Sequence, residues 1–426
     1  MQSAELIREE ISNGKYDDKL LDIYADKSVL EYQRYRYVSA IEKFESLYGA
    51  ADIEIYSAPG RSEVGGNHTD HQRGQVLAAS VNLDVIAVVE KTDNGIVKIL
   101  SDSFDIAPIS VNDLSKKSKE EGTSEGLVRG VLNKLQEAGY TVSGFNAYMT
   151  SDVLVGAGLS SSAAFEVAIG TIISGLYNNM EISPVFIAQA SQYAENKYFG
   201  KPCGLMDQMA SSVGSLVNID FEDPENPIVN KVDVDFDKFG HSLCIVDTKG
   251  SHANLTPEYA AIPPEMKAVA KYFGKEYLRE VDEKEFFANI ADVRKKVGDR
   301  PIIRAMHFFN DHNRVTEEVN ALNNGDFEEF KKQVNLSGNS SFKYLQNVYP
   351  ASDITNQAVS IGLAVSEQVL NGKGASRVHG GGFAGTIQAF VPNEMVPEYK
   401  KTLDSVFGDG ACHVLKVRKY GGMKFC

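Results

Sequence analysis

The run Gly156-Ala157-Gly158-Leu159-Ser160-Ser161-Ser162-Ala163-Ala164 is built from small residues and leads into an apolar stretch. Its chemistry is anion capture. Glycines let backbone N–H groups approach a ligand closely, serines add hydroxyl donors, and a helix starting behind them aims unpaired amides and the positive end of its dipole at the same point. The implied ligand is a phosphate. A glycine–serine run alone is equally a flexible turn, so the setting matters: Gly144 to Thr150 alternates Phe145, Ala147 and Met149 as a strand does, and Ala163 to Leu176 is apolar enough for a buried helix. Two other phosphate motifs are excluded. No Gly-Lys-Ser or Gly-Lys-Thr occurs, and the Gly-x-Gly-x-x-Gly match at Gly380 to Gly385 leads into an alternating strand, Thr386 to Val391, rather than the helix of a dinucleotide site.

A second cluster begins at Ala58-Pro59-Gly60-Arg61 and continues through Gly65-Gly66-Asn67-His68-Thr69-Asp70-His71 to Gly74. A proline–glycine turn presenting an arginine, followed by polar side chains in near succession, is costly to bury without a ligand, and reads as a polyol-binding loop. His68, Asp70 and His71 are also metal-ligand types, and a purely structural turn uses the same residues; Asn67 and Thr69 are poor zinc ligands, and zincin spacing is missing. A third cluster is Ala194-Glu195 followed by Phe199-Gly200-Lys201-Pro202-Cys203-Gly204-Leu205-Met206-Asp207-Gln208. Taken singly, Asp207 reads as a helix cap and Glu195 as a helix-surface acid.

These blocks, in this order, resemble the superfamily of galactokinase, homoserine kinase, mevalonate kinase and phosphomevalonate kinase, and within it the galactokinase family. That family carries an Ala-Pro-Gly-Arg turn, Gly-Glu-His-Thr-Asp-Tyr, the glycine–serine phosphate loop, Glu with Cys-Gly-x-Met-Asp-Gln, and a late Gly-Gly-Gly-Phe run. Here the blocks spread from residue 58 to 385.

The resemblance implies an ATP-dependent sugar 1-kinase acting on galactose, with Asp207 facing the anomeric hydroxyl and Arg61 beside both that oxygen and the transferred phosphate. It implies Gly156, Ala157, Gly158, Leu159, Ser160, Ser161, Ser162 and Ala163 around ATP. Glu195 with Ser161 or Ser162 would hold Mg²⁺, and Asn67, His68, Asp70, Gly204 and Tyr259 would hold the sugar.

Departures from the pattern bear on the sugar. Asn67 stands where the family carries Glu, and His71 where it carries Tyr. An amide in place of a carboxylate removes a charge-assisted hydrogen bond and also repulsion toward an anionic substrate. A C6-modified sugar such as galacturonate is therefore an alternative substrate, and a non-catalytic sugar sensor or a metal-dependent hydrolase using His68 to His71 are alternative functions. Around Tyr259 the family's arginines are missing. Gly338 and Ala384 also depart from it, and the run Gly380 to Gly385 reads as a tight turn near the phosphates.

The elements that must hold these blocks are legible in outline. Ser28 to Tyr48 has helical spacing; Ile53 to Ala58, Val76 to Lys91, Leu216 to Phe221, Leu243 to Asp247 and His413 to Val417 read as strands; helices are expected at Leu127 to Ala138, from about Pro264, Lys284 and Val315, and at Asp353 to Leu370. Ser115 to Gly122 reads as a solvated charged loop. The expected fold is α+β in two domains, residues 1–210 and 211–426, with the site in the cleft between them. The size fits, since 426 residues exceed a single core of roughly 250 to 300 residues. With 43 basic and 58 acidic residues, net −15, the chain lacks the positive field that nucleic acid or anionic membrane requires. Four dispersed cysteines and a charged start fit a cytoplasmic protein, and no motif points to an obligate protein partner.

Overall fold

The computed structural model describes residues 1–102, 105–154, 158–250 and 255–426. Gly156 and Ala157 of the phosphate loop lie outside the described residues.

Among the described residues a nine-stranded, mostly antiparallel sheet is centred on the long strands Asp52–Gly65 and Gln75–Lys91. The helix Ser161–Asn178 packs on it, burying Ala164, Val167, Ala168, Ile169, Ile172 and Ile173. The helix Leu30–Tyr48 covers the opposite side, burying Tyr37, Ile41 and Phe44 against Ile53, Ile55 and Val88. A second, four-stranded sheet runs Ala375–Val378, Thr386–Pro392, His241–Asp247, Cys412–Leu415, all antiparallel. A helical group, including Thr256–Tyr272 and Asp299–Asn323, has its own core around Ile262, Met266, Phe286 and Phe308. The α+β class holds. The sheet does not part at residue 210, however: Leu216–Asp220, Ile228–Val232 and the C-terminal Met423–Lys424 all hydrogen-bond into the first sheet.

Four differences from the sequence expectations stand out. Ala58 to Arg61 is not a turn. It lies inside the strand Asp52–Gly65, where a register shift between Pro59 and Arg61 accommodates the proline's missing N–H. The helix Thr256–Tyr272 starts before Pro263 and Pro264 and carries them inside, because Ile262, Met266 and Val269 on its buried face outweigh two lost backbone bonds. The helix expected from Val315 begins at Asp299, since its buried face includes Arg304, His307, Asp311 and Glu318, which hide the apolar period. The loop at 115–122 is not wholly solvated either: Glu120 holds the buried Arg129 at 2.6 and 2.9 Å.

One buried network anchors the bulged strand from behind. Asp84, opposite Pro59 in register, is fully buried and accepts from Arg36 at 2.6 Å, Arg418 at 2.8 Å and Tyr24 at 2.9 Å, with Ser57 donating as well. Burial pushes this carboxyl up, and the two guanidinium groups outweigh that and hold it below its ordinary value. Neutralising Asp84 strands two buried cations. Asp84→Asn is expected to lower unfolding stability by about 3–5 kcal/mol, measured by urea denaturation; a loss under about 1 kcal/mol would show that the network is dispensable.

Candidate active site

The bulge aims Arg61 at the first turn of the helix Met206–Val213. Arg61 Nε donates to Asp207 Oδ1 and Nη2 to Asp207 Oδ2, both at 2.7 Å, a bidentate pair. Arg61 Nη1 also donates to the Gly158 carbonyl, and the Arg61 amide to the Leu159 carbonyl at 3.0 Å. The phosphate loop is thus tied to the strand by both side chain and backbone. Gly60 makes the crossing possible, because a Cβ there would stand 2.9 Å from the Leu159 oxygen.

Ser160 completes this corner. It sits in the left-handed region (φ 54°), and its hydroxyl donates to Asp207 Oδ2. Among the described residues no side chain caps the helix Ser161–Asn178 at Ser160, so its first amides point toward the loop. Ser161 and Ser162 open that helix with half-buried side chains. Burial raises the Asp207 carboxyl, and the Arg61 charge, its hydrogen bonds and the Ser160 hydroxyl outweigh this, leaving Asp207 below its ordinary value. Arg61 stays cationic.

Glu195 lies in a π-turn, Ala194–Phe199, that widens the end of the helix Pro184–Tyr193. Its carboxylate is nearly buried, with Oε1 at 3.0 Å from Lys201 Nζ and Oε2 accepting from Gln208 Nε2 at 2.8 Å. Glu166, one turn into the phosphate-loop helix, is fully buried; among the described residues its Oε1 and the Oε1 of Gln208 have no hydrogen-bond partner. This donor set is hard oxygen with unsatisfied acceptors nearby, which fits Mg²⁺ shared with phosphate oxygens. It is not a self-sufficient cage: among the described residues no group of three or more His, Cys, Asp or Glu is arranged to hold a metal.

The sugar-loop residues divide. Asp70 packs against Gly204, where a Cβ would overlap its Oδ2 at 1.8 Å. His68, also left-handed (φ 59°), has Nε2 at 3.1 Å from the Gly381 carbonyl, which places the proton on Nε2. Burial and the neighbouring His71 lower His68 to about 3, so the ring is neutral. Tyr259 donates to the Gly382 carbonyl at 2.8 Å, and burial pushes it up to about 12. The carbonyls of the glycine run thus face Asn67, His68 and Tyr259. Its flanks, His379 and Thr386, stand against Gly158.

Asn67 requires a correction. It is fully buried with its amide consumed: Nδ2 donates to Glu63 Oε1 at 2.9 Å and to the Gly380 carbonyl at 2.7 Å, while Oδ1 accepts from Ser341 at 3.1 Å and Asn347 at 2.8 Å. Its backbone is held by Asp311 and His307. No donor or acceptor is left for a sugar, and the argument for a C6-modified substrate loses its basis. Sequence reading missed Glu63, His379, Gln208 and Arg377. Only Gln208 carried a signal, being inside the Met-Asp-Gln block.

A domain model described as GHMP kinases N terminal domain matches residues 126–215, and one described as galactokinase galactose-binding signature matches residues 42–91. A galactokinase of Glaesserella parasuis serovar 5 (strain SH0165) is 31% identical over 364 residues, covering 85% of this chain and 91% of the relative. One from Streptomyces coelicolor is 30% identical over 370 residues, covering 86% and 92%. Among solved structures, Lactococcus lactis galactokinase complexed with galactose superposes with a TM-score of 0.76 at 23% identity, covering 90% of this chain and 98% of that one; a mevalonate kinase gives 0.60 at 15%, covering 86% and 99%.

Asn67 generates a test. Asn67→Asp removes two donors and sets a carboxylate against Glu63, so unfolding stability is expected to fall by about 3–5 kcal/mol. An unchanged urea midpoint together with an altered sugar preference would return Asn67 to the sugar site.

Proposed function

This chain belongs to the galactokinase family, and from that premise we propose that it transfers the terminal phosphoryl group of ATP to the anomeric hydroxyl of galactose, giving galactose 1-phosphate and ADP. The observation that carries the reading is the bidentate Arg61–Asp207 pair set against the phosphate loop, with Asp70, from the loop after Arg61's strand, packed on Gly204, just before Asp207's helix.

Asp207 accepts a hydrogen bond from the anomeric O–H and aims that oxygen at phosphorus. Arg61 keeps the carboxylate ionised, so it serves as acceptor throughout the neutral range. A carboxylate held below its ordinary value is a weak base, and the proton passes to Asp207 as the new O–P bond forms, when the sugar oxygen has become acidic. Arg61 and the uncapped amides of the helix Ser161–Asn178 lie where charge on the phosphoryl oxygens is offset. Glu195, with Ser161 or Ser162, would hold Mg²⁺. That ion, when bound, neutralises phosphate charge and fixes the nucleotide's geometry. His68, Asp70, Gly204 and Tyr259 would hold the sugar ring.

Galactose-dependent release of ADP from Mg–ATP, with the 1-phosphate identified by ³¹P NMR, tests the function; no galactose-dependent release at any enzyme concentration would overturn it. Asp207→Asn is expected to lower kcat by about 10²–10⁴ with the fold kept by circular dichroism, and near-wild-type turnover would remove Asp207 from the reaction. The pH sign follows from its lowered value. Asp207 is ionised above the ordinary carboxylate value of 3.8 and protonates only below it, so it contributes no acid limb to kcat between about pH 5 and 8. A limb in that window abolished by Asp207→Asn would contradict the assignment.

A further inference from the structure

The proposed reaction leaves one cation of the cleft without a role. Lys201 donates its backbone N–H to the Glu195 carbonyl at 3.1 Å and its ammonium to Glu195 Oε1 at 3.0 Å, so one residue holds both its ends. Its side chain is nevertheless 64% exposed, whereas the Glu195 side chain is 5% exposed. The lysine is a lid charge over a buried acid, on a stem that water already surrounds. Asp207 and Glu166 both lie within reach of its field. Arg61, by contrast, is buried and bound at Asp207, Gly158 and the backbone of Leu159.

A nucleotide triphosphate arriving here meets a chain of net charge −15. Both cations are paired, Arg61 with Asp207 and Lys201 with Glu195. Glu195 Oε1, which Lys201 holds, is one of the two carboxylate oxygens open to Mg²⁺, and an ammonium 3.0 Å from that oxygen repels a divalent cation approaching it. Displacement then leaves an exposed ammonium within the field of Asp207, the carboxylate that Ser160 of the phosphate loop also contacts. Resting on the kinase reading above, we propose that Lys201 is a two-position residue, paired with Glu195 until Mg²⁺ takes that carboxylate and contacting the terminal phosphate of the nucleotide thereafter.

Lys201→Met and Lys201→Arg separate the two positions by binding alone. Calorimetry of a non-hydrolysable ATP analogue and of ADP, each titrated across Mg²⁺ concentrations, is the measurement, with thermal unfolding to verify the fold. Lys201→Met is expected to weaken the Mg²⁺-loaded triphosphate analogue by about 10- to 100-fold, the range of one charge-assisted hydrogen bond, and ADP by no more than about threefold. It is also expected to lower the Mg²⁺ concentration at half-saturation, because Glu195 no longer has a resident cation; Lys201→Arg should recover most of the triphosphate affinity. Equal losses for both nucleotides would overturn the terminal-phosphate contact. A shifted Mg²⁺ midpoint with unchanged triphosphate affinity would also overturn the proposal, leaving Lys201 only a counterion. Failure of the kinase reading shows separately, as absent galactose-dependent ADP release by the unaltered protein.

Discussion

The pairing of Arg61 with Asp207 is the constraint around which the site is built. Two planar groups meet through two 2.7 Å bonds, a geometry that tolerates little rotation. Arg61 comes from a strand and Asp207 from a helix 146 residues later, so the pair fixes the helix Met206–Val213 against the sheet. The same guanidinium and the Ser160 hydroxyl draw the phosphate loop onto that corner. Asp207, Arg61 and the glycine–serine loop are therefore one hydrogen-bonded unit.

Buried polar networks keep that unit rigid. Behind the bulge stands Asp84 with Arg36 and Arg418. Beside the sugar loop stands Glu63 with Arg377 at 2.5 Å, extended through Asn67 to Ser341, Asn347 and the glycine run. Such networks contribute little net stability over an apolar core, yet breaking one member is costly because its partners remain buried. What they supply here is direction, holding Arg61 toward Asp207 and Asp70 against Gly204.

The same networks explain where sequence patterns misled. Helical spacing was hidden in Asp299–Asn323, whose inner face carries Arg304, His307, Asp311 and Glu318. The Pro-Gly-Arg run resembled a turn because proline and glycine punctuate most chains, whereas a strand with a bulge absorbs both. Asn67 resembled a ligand contact because it stands within a row of polar residues. Adjacent residues of such a loop face opposite ways, and Asn67 faces inward.

Local sequence determined the elements whose signals are short-range: the strand Phe145–Ser151, the small-residue loop, the apolar helix behind it, and the Cys-Gly-Leu-Met-Asp-Gln block. Backbone propensity and hydrophobic period act within a few residues, so a linear reading reaches them. Which polar side chain faces a ligand and which faces a buried partner was decided by tertiary structure alone. Asn67 is saturated by residues 274 and 280 positions away, and Lys201 is held by an acid that a π-turn rotates toward it. Hydrogen-bond saturation depends on who is nearby in space, and no spacing along the chain encodes that.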